Sequence, residues 1–180
     1  SSAASDVYKR QNEILVKGSS LMNGYWKDKK STNKAIKNGW LHTGDIGHID
    51  CDDYISITGR KNEMIVNSGG ENISPIPIEN TLLNSNEIEQ VLVFGHNKPF
   101  LIAIIVLNDE TIIKYNANKI KLKQIIKDII NNTNSELSQK NKIRKFIIAN
   151  NSFNIKNMQL TPTFKIKRNK IIDFYQSEIN

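Results

Sequence analysis

Cysteine is nearly absent from this chain, in which Cys51 is the single one among 180 residues. One cysteine excludes an internal disulfide framework, so a reducing compartment is the default expectation. No stretch of the sequence approaches the apolar run that a membrane-spanning helix requires. The three histidines, His42, His48 and His96, have neither helical nor ligand-pair spacing. We therefore predict no metal site for them.

Negative charge is in deficit, since 25 lysines and arginines face 18 aspartates and glutamates and leave a net charge of +7. Such a surplus favours anionic partners such as nucleotides, nucleic acid or acidic lipid. The lysines are spread singly among asparagines and isoleucines, without the concentrated basic block of a nucleic-acid arm. Charge alone therefore gives a weak indication of the partner, and we predict no nucleic-acid binding.

The first eleven residues, SSAASDVYKRQ, lack both an apolar signal-peptide core and any periodicity. We interpret residues 1–11 as a translated cloning or sequencing linker joined to an incomplete reading frame. On this interpretation, the natural chain continues upstream of residue 12.

Residues 12–58 contain short β-type runs separated by turn residues. We predict strands at 13–16, 40–43, 46–49 and 54–58, with a turn at Gly44–Asp45 between the second and third. The predicted strands are antiparallel and together too small to bury a core of their own. We therefore interpret residues 12–58 as the end of a larger domain.

The pattern changes after Arg60. Paired glycines between 64–66 and 71–73 predict a β-hairpin, and Ser74 with Pro75 predicts the start of a helix. Runs 88–94, 100–107 and 146–148 predict three strands, the first two antiparallel, and five apolar residues within 122–130 repeat at helical spacing. A final helix begins at 171. We predict an α+β fold for 64–180: a small three-stranded-sheet domain with packed helices and a β-hairpin.

Two polar residues in this pattern suit a nucleotide. The Asp45 carboxylate, in HTGD, can accept both hydroxyls of a ribose, although spacing alone favours an ordinary turn aspartate that bonds its own backbone. Arg60, after Gly59, can bridge a ribose or phosphate oxygen with its fork of donors. A surface arginine at a strand end is the commoner alternative.

Two further motifs remain open on the residues alone. Ser68-Gly69-Gly70 suits a tight turn, but it would also let the thin chain of another molecule pass close to the backbone. Lys165, in TPTFKIKR, is one of many basic residues, few of which are expected to be catalytic. It lies, however, on a loop stiffened by Pro162, from which it could reach a substrate. Cys51 has no apparent partner base and is interpreted as a bystander.

Taken together, these motifs resemble the adenylate-forming acyl-CoA ligases, and most closely the bubblegum-type long-chain acyl-CoA synthetases. Four elements occur in the family's order over residues 39–168: GWLHTGDIG, GRKNEMI, SGGENISPIPIE and TPTFKIKR. In this family the W-x-x-T-G-D element supplies a ribose-binding aspartate, which matches Asp45. The resemblance therefore favours a ribose-binding role for Asp45 over that of an ordinary turn aspartate.

The resemblance also implies a hinge at 59–63, where Arg60 contacts the nucleotide. Relatives usually carry Asp or Lys two residues after that arginine, whereas this chain carries Asn62. Lys61, directly before Asn62, is either a solvated neighbour or a partial substitute for the pivot residue.

The remaining elements are assigned in the same way. Ser68, Gly69 and Gly70 would line the tunnel for the pantetheine arm of CoA, and Glu79 matches a family glutamate with a structural role. Thr161, Lys165 and Arg168 fit the frame of the family's lysine motif. Lys165 would neutralise the substrate carboxylate and the α-phosphate as charge gathers in adenylate formation. Lys167 is a second choice, and Phe164 replaces the family's glycine.

The resemblance implies a two-step reaction in which ATP, assisted by Mg²⁺, activates a fatty acid to acyl-AMP, and CoA then displaces AMP. The small domain, 64–180, would turn about the hinge between the steps. The family's phosphate loop, Mg²⁺ site and fatty-acid pocket belong to the large N-terminal domain, the partner of the small one. We therefore expect this chain alone to be inactive. The expected location is cytoplasmic, with peripheral attachment to the endoplasmic reticulum or another membrane left open.

Two alternatives remain. The same fold serves enzymes that load a carrier protein, activate aryl or medium-chain acids, or oxidise the adenylate to emit light; the PIPIE segment favours CoA ligation. A different class is a basic stand-alone module that holds nucleic acid or acidic membrane, and salt-dependent binding to unrelated DNA would support it.

Overall fold

The computed structural model of the chain describes residues 13–115 and 118–179. The predicted linker at 1–11 lies outside these residues. The chain divides into two compact units, the first ending at Met64 and the second beginning at Ile65. The assignment of 12–58 to a larger domain, 59–63 to a hinge and 64–180 to a small domain stays a prediction.

The first unit is an antiparallel sheet built around one long strand. Its elements are β1 (Glu13–Val16), α1 (Lys29–Ala35), β2 (Ile36–Lys37), β3 (Trp40–Ile49) and β4 (Ile55–Arg60), followed by a 3₁₀ turn at Lys61–Glu63. Strands β1, β2 and β4 all pair with β3. Among the described residues of this unit, Ile14 is the one apolar side chain that is buried.

The predicted turn at Gly44–Asp45 is wrong, because β3 continues through it. Gly44 has a φ of +74°, a conformation that glycine adopts without a steric penalty. Pairing with β1 and β4 holds the strand extended on both sides of Gly44, and the register with β4 shifts between Ile46 and Gly47. Strand β4 also runs further than predicted, so that Gly59 and Arg60 lie within it rather than after it.

The second unit contains the predicted three-stranded sheet. Its strands are β7 (Ile88–Phe94), β8 (Leu101–Leu107) and β9 (Ile143–Ile148), in the order β7-β8-β9. Strands β7 and β8 are antiparallel, as predicted, while β9 lies parallel to β8. The parallel pairing is possible because the connection from β8 to β9 contains α3 (Asp109–Tyr115) and α4 (Lys119–Ser135).

The sheet of the second unit is covered on both faces. One cluster combines the hairpin β5 (Ile65–Val66) and β6 (Asn72–Ile73), α2 (Pro75–Leu83) and α4 with one face. The other face packs against Phe153, Leu160 and the helices α5 (Arg168–Phe174) and α6 (Gln176–Ile179). All seven residues of β8 are buried, alternating between the two clusters. The predicted α+β fold, with its three-stranded sheet, packed helices and hairpin, is confirmed.

Candidate functional site

Asp45 and Arg60 are brought together by the sheet of the first unit. They lie opposite each other in the register of β3 and β4, and Arg60 Nε is 2.9 Å from Asp45 Oδ1. The Asp45 side chain is 21% exposed and that of Arg60 is 55% exposed. The Asp45 amide donates to Thr43 Oγ1, whose hydroxyl donates to the Ile14 carbonyl. The backbone of Asp45 is therefore fixed through Thr43, and its carboxylate is held by the Arg60 guanidinium.

Glu13, which the sequence analysis did not single out, lies beside this pair. Its carboxylate accepts from the Gly44 amide at 3.1 Å and lies 3.3 Å from both His42 Nδ1 and Lys61 Nζ. Partial burial opposes ionisation, but hydrogen bonds from His42 and Lys61, the Lys61 charge and the Gly44 amide hold the pKa of Glu13 below its ordinary value. The EILV run predicted the strand that Glu13 begins, but no local sequence pattern marked its side chain as partly buried.

Lys61 and Asn62 lie in the 3₁₀ turn that follows β4. The ammonium of Lys61 bonds to Glu13 at 3.3 Å, and the Lys61 side chain is 47% exposed. The hinge role of Lys61 and Asn62 stays a prediction. Asn62 is exposed. Both residues line an open cleft of about 670 Å³ in the first unit, together with Glu13, Trp26 and His42. This volume falls within the range of small-molecule sites, which is roughly 300–1,000 Å³.

The Ser68–Gly69–Gly70 loop forms the turn of the β5–β6 hairpin and is braced by Asn67. The Asn67 side chain is buried, and its oxygen accepts from the amides of Gly69 and Glu71 at 2.9 and 3.0 Å. The Ser68 amide donates to the carbonyl of Lys98. Gly70 has a φ of +77°, and a Cβ atom there would meet nothing within 4 Å. The loop thus has a fixed backbone with open space beside Gly70.

Lys165 is exposed on a separate loop of the second unit. This loop closes on itself, because the Lys165 amide donates to Thr161 Oγ1 and the Thr161 amide donates to the Lys165 carbonyl at 2.8 Å. Leu160 and Ile166 form a bridge below the turn, and the Lys167 amide donates to the Gln159 carbonyl. Phe164, at the tip, has a φ of +60°. The family's glycine at this position is suited to that conformation.

A buried ion pair lies at the base of this loop. Arg168, the first residue of α5, donates from Nη1 and Nη2 to the two oxygens of Glu79 in α2, at 2.7 and 2.6 Å. Glu79 Oε1 also accepts from the Val93 amide of β7 at 2.7 Å. Both residues were noted in the sequence as parts of motifs, but no sequence pattern related one to the other.

The glycine loop and the Lys165 loop both lie in a part of the chain that matches a known family of domains. Residues 62–180 match the family described as AMP-binding enzyme C-terminal domain. This chain belongs to that family. The AMP-binding enzyme C-terminal domain accounts for all of the second unit and for the end of the 3₁₀ turn, and it confirms the predicted resemblance to the adenylate-forming enzymes.

Curated relatives of this AMP-binding C-terminal domain extend over the first unit as well. The chain is 34% identical over 181 residues to "Long-chain-fatty-acid--CoA ligase FadD15" of Mycobacterium tuberculosis. It is 32% identical over 203 residues to "Long-chain-fatty-acid--CoA ligase ACSBG2" of Mus musculus. Each comparison covers 93% of this chain and 30% of the relative. The chain therefore spans about 30% of the length of these relatives.

A solved structure shows the same fold. The A domain of carboxylic acid reductase from Segniliparus rugosus, in complex with AMP and a co-purified carboxylic acid, superposes with a TM-score of 0.82. The match covers 93% of this chain and 27% of that one, at 24% identity.

Two further properties of the described residues bear on the site. No group of three or more His, Cys, Asp or Glu side chains in the described part of the chain could hold a metal ion. Within residues 13–115 and 118–179, no helix is both long enough and apolar enough to cross a membrane.

Proposed function

We propose that this chain is the C-terminal part of an AMP-forming long-chain fatty acid–CoA ligase. In the first step, a fatty acid carboxylate attacks the α-phosphorus of ATP, the bond to pyrophosphate breaks, and acyl-AMP forms. In the second step, the CoA thiol, with loss of its proton, attacks the acyl carbon and AMP leaves. The observation that carries this proposal is the similarity to ligases of this name along 93% of the chain.

Asp45 and Arg60 are proposed to hold the nucleotide. The Asp45 carboxylate, oriented by the Arg60 guanidinium, can accept the two ribose hydroxyls. More than half of the Arg60 side chain is exposed, so its remaining donors can reach a ribose or phosphate oxygen.

Lys165 is proposed to stabilise the transition state of the first step. Its exposed ammonium, carried on a loop with a hydrogen-bonded backbone, would neutralise charge on the carboxylate and the α-phosphate. The hinge residues Lys61 and Asn62 would let the second unit turn between the two steps. The glycine loop at Ser68, Gly69 and Gly70 would then line the path of the pantetheine arm of CoA.

Mg²⁺ is expected to assist the first step, but the described residues do not fit a Mg²⁺ site, since they contain no cluster of three candidate ligands. The large N-terminal domain, with the acyl pocket, is proposed as the partner that completes the enzyme. We propose a cytoplasmic location. Peripheral attachment to the endoplasmic reticulum or another membrane is left open.

The test separates the two half-reactions in the complete enzyme. In the Lys165→Ala variant, acyl-AMP formation from palmitate and ATP should fall about 100- to 1,000-fold, because one preorganised charge contact to the transition state is lost. Thioester formation from supplied palmitoyl-AMP and CoA should change less than about 3-fold. Lys170→Ala, which removes an exposed lysine of α5, should leave both steps near wild type.

Equal losses in both steps would contradict the role of Lys165. Acyl-AMP without any transfer to free CoA would favour a carrier-protein-loading enzyme instead. The 180-residue chain alone should give no acyl-CoA, and substantial output from it would contradict our placement of the triphosphate and acyl sites outside this chain.

A further inference from the structure

The ion pair between Glu79 and Arg168 joins three elements of the second unit at one carboxylate. Glu79 lies on α2, Arg168 begins α5, and the Val93 amide belongs to β7. The side chains of Glu79 and Arg168 are 9% and 17% exposed. Two parallel N–H···O bonds fix both the distance and the angle of a guanidinium, unlike a single contact.

The loop that carries Lys165 has its own internal bonds, but these fix only its shape. Those bonds run between Gln159 and Lys167 and between Thr161 and Lys165. They do not determine how the loop is oriented on the domain. Its two ends tie it to the domain. At the first end Leu160 is buried in the core and the amides of Gln159 and Leu160 donate to the Asn154 carbonyl, and at the second end Arg168 bonds to Glu79.

Stability alone does not account for an ion pair at this position. An apolar pair of similar volume in a buried site is often as stable as a buried ion pair, or more stable. A bidentate pair adds a defined geometry, and this one stands three residues from the lysine that would enter the site. A displacement of about 1 Å can lower the rate of a well-oriented step about 100-fold.

We propose that Glu79 and Arg168 are positioning residues for Lys165. The pair anchors the C-terminal end of the Lys165 loop to α2 and β7, so that the ammonium is presented in one orientation. This inference rests on the proposed role of Lys165 in adenylate formation. It also predicts that the second half-reaction is spared, because the glycine loop is braced by Asn67 and Lys98 rather than by Glu79.

The experiment compares Glu79→Gln with wild type in the complete enzyme. The introduced glutamine has nearly the same size and can still accept from the Val93 amide, but it lacks the charge and the second acceptor for the Arg168 fork. We expect acyl-AMP formation to fall about 10- to 100-fold in kcat, with KM for ATP changed less than about 3-fold. Thioester formation from supplied acyl-AMP should stay within about 3-fold of wild type. Glu89→Gln, at an exposed glutamate of β7, is the matched control and should match wild type.

A double-mutant cycle separates positioning from general damage. If Glu79 acts through Lys165, Glu79→Gln should lower adenylation less than about 2-fold further in the Lys165→Ala background. An equal loss in both backgrounds, or equal losses in both half-reactions, would overturn the proposal. If Glu79→Gln does not fold at the assay temperature, Arg168→Lys takes its place, since it keeps the charge but loses the fork.

Hydrogen exchange of the segment 159–167 provides a readout that does not depend on activity. The amides of Lys165 and Lys167 should exchange at least about 10-fold faster in Glu79→Gln than in wild type, while those of β8 stay unchanged. Unchanged exchange at 159–167 would overturn the anchoring. If wild type formed no acyl-AMP, the proposed function would fail, but the exchange comparison would still decide whether the pair anchors the loop.

Discussion

The two units of this chain are built on different balances of apolar and polar contacts. In the second unit, all of β8 is buried between helices on both faces of the sheet. In the first unit, Ile14 is the one buried apolar side chain among the described residues, and Ile55 and Ile57 of β4 are exposed. Each unit nevertheless carries an Asp/Glu–Arg pair at a candidate site. The second unit thus has the core that a stable domain requires, whereas the first is held chiefly by its backbone ladder and polar contacts.

The largest loss of stability is expected at the Glu79–Arg168 ion pair of the second unit. Glu79→Ala should lower the free energy of unfolding of the second unit by about 3–5 kcal/mol, because the largely buried Arg168 guanidinium would lose both of its charge-assisted bonds to Glu79. Chemical denaturation followed by circular dichroism would measure this loss. Glu89→Ala, at an exposed position of β7, is the control. A loss below about 1 kcal/mol would mean that water reaches Arg168 readily and that the pair belongs with surface pairs.

A matched pair of isoleucines tests the two sheets. Ile105→Ala, in β8, should lower the free energy of unfolding by about 2–5 kcal/mol, since its side chain is fully buried and a cavity would remain. Ile57→Ala, in β4, removes the same atoms from an exposed position. This substitution should change the free energy of unfolding by less than about 0.5 kcal/mol. Denaturation of the 180-residue chain measures both. Similar losses would show that the isoleucine of β4 is covered in solution.

The polar contacts of the first unit can be weakened through pH. The pKa of Glu13 in the folded chain lies below its ordinary value of 4.5, so its contribution is present above that value and is lost as pH falls through the folded pKa. Glu13→Gln should therefore destabilise the first unit by about 1 kcal/mol at neutral pH, and the difference from wild type should shrink as the pH falls below 4.5 and through the lower folded pKa of Glu13. Thermal unfolding over this pH range measures it. Asp52→Asn, in an exposed turn, is the control, and a difference that persisted in acid would contradict the charged role of Glu13.

The smallest effect on stability is expected at Asp45. Its partner Arg60 is 55% exposed, and exposed ion pairs contribute about 0–1 kcal/mol. Asp45→Asn should therefore leave the unfolding midpoint nearly unchanged. In the complete enzyme it should weaken ATP binding about 10-fold or more, because hydrogen bonds to a charged group contribute about 1.5–3 kcal/mol. Calorimetric titration with ATP would measure it, and unchanged affinity would remove Asp45 from the nucleotide site.

The sequence predicted elements where one local pattern dominates. The apolar repeat at 122–130 produced α4, and the β-branched runs produced β7 and β8 in the predicted antiparallel arrangement. The prediction of a turn at Gly44 was wrong, although the residues next to Gly44 are typical of a turn when they are considered alone. The ladders to β1 and β4 hold that glycine inside a strand, and such pairing depends on residues distant in sequence.

The same limit applies to the candidate site. Asp45, Arg60 and Lys165 could be named from motifs, and Asp45 and Arg60 were found paired. The partner of Glu79 is 89 residues away, and no periodicity links positions so far apart. Glu13 was missed because a glutamate that opens a strand has no local mark of burial. Its partners His42 and Lys61 come from β3 and from the 3₁₀ turn.

The parallel pairing of β9 with β8 also determines when this unit can be completed during synthesis. The middle strand has a partner on one edge as soon as the β7–β8 hairpin closes, but its other edge waits until Ile143–Ile148 has left the ribosome. Phe153, Leu160 and Ile179, which cover one face, emerge later still. The three residues of β8 on that face, Ile102, Ile104 and Val106, therefore stay uncovered until these later segments have emerged. Apolar surface exposed in this way during synthesis is prone to aggregation and is a target for chaperones.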